Sequence, residues 1–157
     1  MNNNHVYDML VVGGGPGGYT AALYAARAGL DTIVLEKLSA GGQMALTEQI
    51  DNYPGFEDGI DGFSLAEKMQ KQAERFGVRS EYAEVLRMDL TAIPKLLETS
   101  EGIFRGKTVV LATRMTMDEM RPILPEMDKI PYFSVHRRRF PGGRSGCIES
   151  KICRKQC

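Results

Sequence analysis

The sequence predicts a three-layer α/β domain built on a parallel sheet, with a β-meander crossover and an irregular C-terminal tail. Three observations predict it. The apolar run Val6 to Val12 ends abruptly in the glycines Gly13 to Gly18 and is followed by an alanine-rich helical pattern. A second apolar strand, Thr32 to Leu35, follows that helix and closes on Glu36. Far downstream, Thr108 to Ala112 is a continuous apolar strand of the kind buried on both faces of a parallel sheet.

Taken in order, each element has a local cause. The first helix opens near Pro16, runs through Tyr19 to Ala28 and stops at Gly29. After Glu36 the chain from Lys37 to Asp61 is rich in glycine and turn residues, and a loop this long inside a compact domain is usually functional. Gly62 to Phe76 is an amphipathic helix in which Leu65, Met69, Ala73 and Phe76 share a face, with Gly77 as its stop. Val78 to Glu81, Glu84 to Leu90, Ile93 to Glu98 and Gly102 to Arg105 alternate as short antiparallel strands, with a turn at Glu101-Gly102. Strand, helix, strand, loop, helix, antiparallel excursion and buried strand together describe a Rossmann-like half-domain that binds a dinucleotide.

The glycines carry the chemistry. Gly13 permits a tight turn, Gly15 lets backbone approach a diphosphate with no Cβ in the way, and Gly18 lets the helix lie close on the strand. Backbone N–H groups and the positive end of the helix then face the phosphates. Glu36 stands 18 residues past Gly18, where an acid that binds a ribose hydroxyl belongs. The plainer reading of Glu36 is a solvated acid at a strand end.

Composition sets limits. At 157 residues and 43% hydrophobic the chain has material for one domain with a core, too little for a two-domain redox enzyme. Net charge is zero, which argues for neither nucleic acid nor an acidic partner. Its distribution is uneven: residues 1–113 hold 10 basic and 15 acidic side chains, residues 114–157 hold 10 and 5. Cys147, Cys153 and Cys157 all lie in the second part, form no C-x-x-C pair and match no zinc spacing, so they read as free thiols. No apolar run is long enough to span a bilayer, and the polar start Met1 to His5 lacks the regions of a signal peptide, which makes the cytoplasm the expectation. Arg137 to Arg139 is a short basic run without interleaved aromatics, read as solvated and not as a nucleic-acid patch. His5 and His136 have no constellation around them in the sequence and are taken as bystanders.

On four motifs in order, residues 5–113 closely resemble the N-terminal FAD-binding segment of bacterial thioredoxin reductases, of the pyridine nucleotide–disulfide oxidoreductase superfamily. Gly13-Gly14-Gly15-Pro16-Gly17-Gly18-Tyr19-Thr20-Ala21-Ala22 is similar to the family's opening fingerprint. Gly41-Gly42-Gln43 resembles its flavin-side loop, Asn52-Tyr53-Pro54-Gly55-Phe56 its second flavin-contacting turn, and Leu111-Ala112-Thr113 the start of its A-T-G strand end. The resemblance implies FAD contacts at Gly13, Gly14, Gly15, Pro16, Gly17, Gly18, Glu36, Lys37, Gly42, Gln43, Asn52, Val85 and Thr113. Gln43 and Asn52 each offer a carbonyl acceptor and an amide donor to a flavin edge, or else bond their own backbone as turn residues. Val85 would meet adenine through its backbone, or is a plain strand valine.

The implied reaction passes electrons from NADPH to FAD, to an active-site dithiol, to thioredoxin, in a family whose members are homodimers. This sequence has no second glycine fingerprint for NADPH and no C-x-x-C, and Arg114 stands where the family has glycine after A-T. The expectation is therefore a truncated FAD-binding domain, residues 1–113, followed by a non-homologous tail, residues 114–157, with little turnover by itself. A shifted reading frame accounts for the tail. Dropping one base lets the codons from Val135 to near Gly146 spell Y-I-V-G and G-D-S-x-V-E-E-A, and those from Lys151 to Gln156 spell K-Y-A-G-N, similar to the family's NADPH domain. Two other readings remain: a ferredoxin–NADP reductase-like or peroxiredoxin-reductase flavoprotein, and a free-standing nucleotide-binding module without catalysis.

Overall fold

A computed structural model describes residues 5–38, 40–115 and 117–127. Six strands, β1 (Val6–Val12), β2 (Thr32–Glu36), β3 (Arg79–Tyr82), β4 (Val85–Asp89), β5 (Lys95–Thr99) and β6 (Gly102–Leu111), form one sheet in the order β3-β2-β1-β6-β5-β4. The helices are α1 (Pro16–Arg27), α2 (Gly62–Arg75) and the short α3 (Met117–Met120). β1 pairs in parallel with β2 on one side and β6 on the other, and β3 extends the parallel part beyond β2. β4, β5 and the first half of β6 form the antiparallel meander.

Period-two alternation divides the core between two faces. Val11 and Val34 turn toward the helices and pack with Tyr19, Ala22 and Ala73. Leu10, Val12, Ile33 and Leu35 turn the other way and meet Met88 and Leu97 of the meander. Leu10, Leu35 and Leu97 are fully buried, and each such side chain contributes about 1.5–3 kcal/mol on leaving water. α2 is started by Asp61, whose Oδ1 accepts from Ser64 N at 2.8 Å. That hydrogen bond holds the Asp61 carboxyl below its usual range.

The antiparallel excursion begins one strand later than its alternation suggests. β3 is a parallel neighbour of β2, with Ile33 opposite Arg79 and Glu36 opposite Tyr82, because the helix between them carries the chain back to the same end of the sheet. Gly102 to Arg105 and Thr108 to Ala112 also prove to belong together, as the ten-residue strand β6 that ends at Leu111. Its first half pairs with β5 and its second with β1, the two registers meeting at Arg105 and Gly106. Beyond Gly106, β1 is its only strand partner among the described residues. Val109, Val110 and Leu111 are accordingly half-buried and not enclosed on both faces.

One further expectation changes. Phe76 leaves the core face of its helix because it is the C-cap. It is 41% exposed, beneath the guanidinium groups of Arg75 at 5.2 Å and Arg27 at 5.9 Å. Beyond Thr113 the sequence predicts irregular chain, and the described residues there are irregular apart from the one-turn α3; among them Met120, Leu124 and Met127 are buried in the meander-side core. Met88 N donates to Ile123 O at 2.7 Å, so this segment also satisfies the outer side of β4. The readings of the cysteines, of His136, of Arg137 to Arg139 and of the shifted frame from Val135 onward lie outside the described residues.

His5 is no bystander. His5, Asp31 and Arg79 sit just before or at the starts of β1, β2 and β3, and so meet at one end of the parallel sheet. His5 Nε2 lies 2.5 Å from Asp31 Oδ2, Arg79 Nη2 donates to Asp31 Oδ1 at 2.8 Å, and Arg79 covers the Tyr7 ring at 4.6 Å. Burial pushes the Asp31 carboxyl up, but hydrogen bonds from Arg79 and His5 outweigh it and hold the group below 3.8. A depressed carboxylate stabilises the fold above its unfolded value and loses that contribution as pH falls through the folded value. Asp31→Asn is therefore expected to lower stability above about pH 4 and to leave the acid limb below it shallower than wild type. Urea midpoints measured from pH 3 to pH 7 check this, and parallel curves would refute it.

Candidate functional site

At the other end of the sheet β1 stops and α1 begins through the glycine turn. Gly13 has φ +105°, and a Cβ there would stand 2.7 Å from Ala112 O, so both conformation and space demand glycine. A Cβ on Gly18 would come within 1.9 Å of Gly13 O, which is how α1 approaches the strand so closely. Gly15 and Gly17 face open space, with nothing within 4 Å of a built Cβ. The first-turn N–H groups of a helix have no partner within it. Here no side chain caps them and no acid stands in the first turn. The result is a bare, electropositive corner open to an anion.

Glu36 is tied to that corner. Its Oε2 accepts from Gly14 N at 2.5 Å and its Oε1 from Lys37 N at 2.9 Å, leaving a lone pair on each oxygen for hydroxyl donors. Gly41 N donates to Gly14 O at 2.8 Å, which brings the Gly41-Gly42 turn alongside, and Gly42 lies beside the Glu36 carboxylate. On the far side Ala83 N donates to Glu36 O at 2.9 Å, and Lys37 Nζ lies 2.6 Å from Glu84 Oε1. Thus Lys37 is clipped to the chain that enters β4, where Val85 is half-buried. Tyr19 fills the space under Gly14, and burial pushes its hydroxyl up to about 12, with Tyr82, Glu74 and Glu36 adding to the rise. It stays a neutral phenol at working pH.

A family profile described as pyridine nucleotide-disulphide oxidoreductase matches residues 7–129. The chain belongs to that family. Within it, the chain is 42% identical over 109 residues to the thioredoxin reductase of Aquifex aeolicus (strain VF5), covering 69% of this chain and 34% of that one. It is 40% identical over 120 residues to NADPH-dependent thioredoxin reductase 3 of Arabidopsis thaliana, covering 74% and 23%. The solved thioredoxin reductase of Gloeobacter violaceus superposes with a TM-score of 0.66 at 44% identity, over 70% of this chain and 36% of that one. The chain thus spans between about a quarter and about a third of the length of these relatives.

The remaining residues expected at the site of this family member fall in two places. Thr113 follows the end of β6 beside Gly13, and its Oγ1 accepts from Met115 N at 3.4 Å. Gln43 and Asn52 are both exposed, Gln43 on the 3-10 helix Gly42–Leu46 and Asn52 in the following loop. That loop is pinched shut by the Ile50–Ile60 bridge, and its Tyr53 and Phe56 rings stand 6.2 Å apart. Among the described residues no group of acids, histidines or cysteines is placed to hold a metal ion, and no helix is long and apolar enough to cross a membrane.

Proposed function

We propose that this chain carries the FAD-binding portion of an NADPH-dependent thioredoxin-disulfide reductase of the cytoplasm. The observation that carries the reading is the Glu36 carboxylate hydrogen-bonded to Gly14 N within an uncapped glycine corner. The fit follows from its chemistry: bare N–H donors for a diphosphate, acceptor-only oxygens for a ribose diol, and no Cβ at Gly15 to keep them apart. In this reading Gly13 to Gly18 hold the diphosphate, Glu36 holds the ribose, Lys37 and Val85 flank the adenine, and Gly42, Gln43, Asn52 and Thr113 face the flavin half. Bound there, FAD supplies two-electron transfer between a nicotinamide and a disulfide. The chain's own part is to anchor and orient it. Thioredoxin is the proposed final acceptor in the complete enzyme, with a homodimer as the proposed assembly.

The chain by itself is proposed to be inactive, since its sequence has neither a C-x-x-C dithiol nor a second glycine fingerprint for NADPH. Weak FAD binding and concentration-dependent self-association are expected from the single-sided second half of β6. Purified protein titrated with FAD should show flavin bands with partial occupancy and no NADPH-dependent disulfide reduction. Glu36→Ala should weaken FAD by about 2 kcal/mol, roughly thirtyfold, through loss of charge-assisted hydrogen bonds. A monomer that reduces disulfides with NADPH, or one that binds FAD equally well without Glu36, would overturn the reading.

A further inference from the structure

The strand order places three chemical stations in a line. The glycine corner follows β1, Glu36 ends β2, and Tyr82 ends β3, with neighbouring strands about 4.8 Å apart. Glu36 and Tyr82 are register partners, as are Val34 and Ser80 before them, so both side chains stand on the face that carries α1. Ala83 N bonding to Glu36 O fixes the chain just after Tyr82 against the end of β2. Tyr82 is 52% exposed, and its ring has no ring contact or side-chain hydrogen bond among the described residues. A nucleoside diphosphate also presents diphosphate, ribose and base in a line.

Resting on the FAD reading above, we infer that Tyr82 is the stacking wall for the nucleobase, the third station of an adenosine diphosphate laid across β1, β2 and β3. A base has a π-face whatever its edge carries, and an exposed phenol ring offers a matching one. The ring does the work and the hydroxyl does not. Tyr82 thus sets the preference of the site for a nucleotide over a bare diphosphate or sugar phosphate.

The test titrates wild type, Y82F and Y82L with FAD and with ADP by calorimetry, and follows tyrosine emission during the ADP titration. Wild type should bind both ligands, with emission quenched by ADP. Y82F should keep its affinity within about twofold, while Y82L weakens by about tenfold. The quenching should fall in both variants by the share that Tyr82 contributes, leaving what Tyr19 beneath Gly14 supplies, a pattern that a merely structural tyrosine does not produce. Thermal midpoints confirm that the variants fold, and Y82Q replaces Y82L if that variant melts early. Binding by Y82L as tight as wild type, or quenching undiminished in Y82F, overturns the inference and leaves the FAD reading standing. Wild type that binds neither FAD nor ADP overturns both.

Discussion

Gly18→Ala should unfold or severely destabilise the protein, by at least about 3 kcal/mol, although it adds a single methyl group. The methyl carbon would be built 1.9 Å from Gly13 O, a backbone atom that cannot rotate away. Relief requires α1 to lift from β1, which opens the contacts of Tyr19 and Ala22 with Val11 and Val34. Gly17→Ala is the matched control. It lies one residue earlier on the same helix, meets nothing within 4 Å, and should be neutral or gain up to about 1 kcal/mol from helix propensity. Urea unfolding of the pair separates close approach from any general dislike of side chains in the turn. Equal midpoints for the two variants would show that α1 does not bear on the strand as described.

The second large effect is expected far from the glycine corner. Leu124→Ala should lose about 3 kcal/mol, the usual range for emptying a fully enclosed leucine site, because Leu124 is 0% exposed in the core with Met88 and Leu97. A chain ended after Thr113 should lose more, since Met120 and Met127 go with it and Met88 N is left without Ile123 O. Thermal unfolding of the three proteins checks both statements. If ending the chain at Thr113 left stability unchanged, residues 114–127 would be a passive appendage.

What the sequence made legible was whatever tolerates a single residue type. Gly13 and Gly18 are written into the chain because backbone passes where a Cβ would stand, and Glu36 because an acceptor must lie beside Gly14 N. Pairing partners were less legible. The alternation of Arg79 to Tyr82 looks the same in a parallel or an antiparallel edge strand, and only the crossover through α2 decides it. The sequence separates Gly102 to Arg105 from Thr108 to Ala112, yet Gly106 lies between them inside one strand as a close approach, where a Cβ would stand 2.6 Å from Leu10 Cγ. Beyond Thr113 a signal did exist: Met120, Leu124 and Met127 follow spacings of four and three, the period of a helical face. Pro122 and Pro125 hid it by breaking the helix that would have displayed it. The grouping of His5, Asp31 and Arg79 becomes visible only once three parallel strands are known to begin together.

The strand that serves two registers also sets a timetable. Val6 pairs with Arg105 and Val12 with Leu111, so at about 5–20 residues per second the ribosome needs roughly 5–20 seconds to deliver the second neighbour of β1. Throughout that interval β1, with its buried Leu10, Val11 and Val12, waits half-matched, exposed to holding chaperones and to other unfinished chains. The second side of β1 is closed only when residues 105–111 leave the exit tunnel.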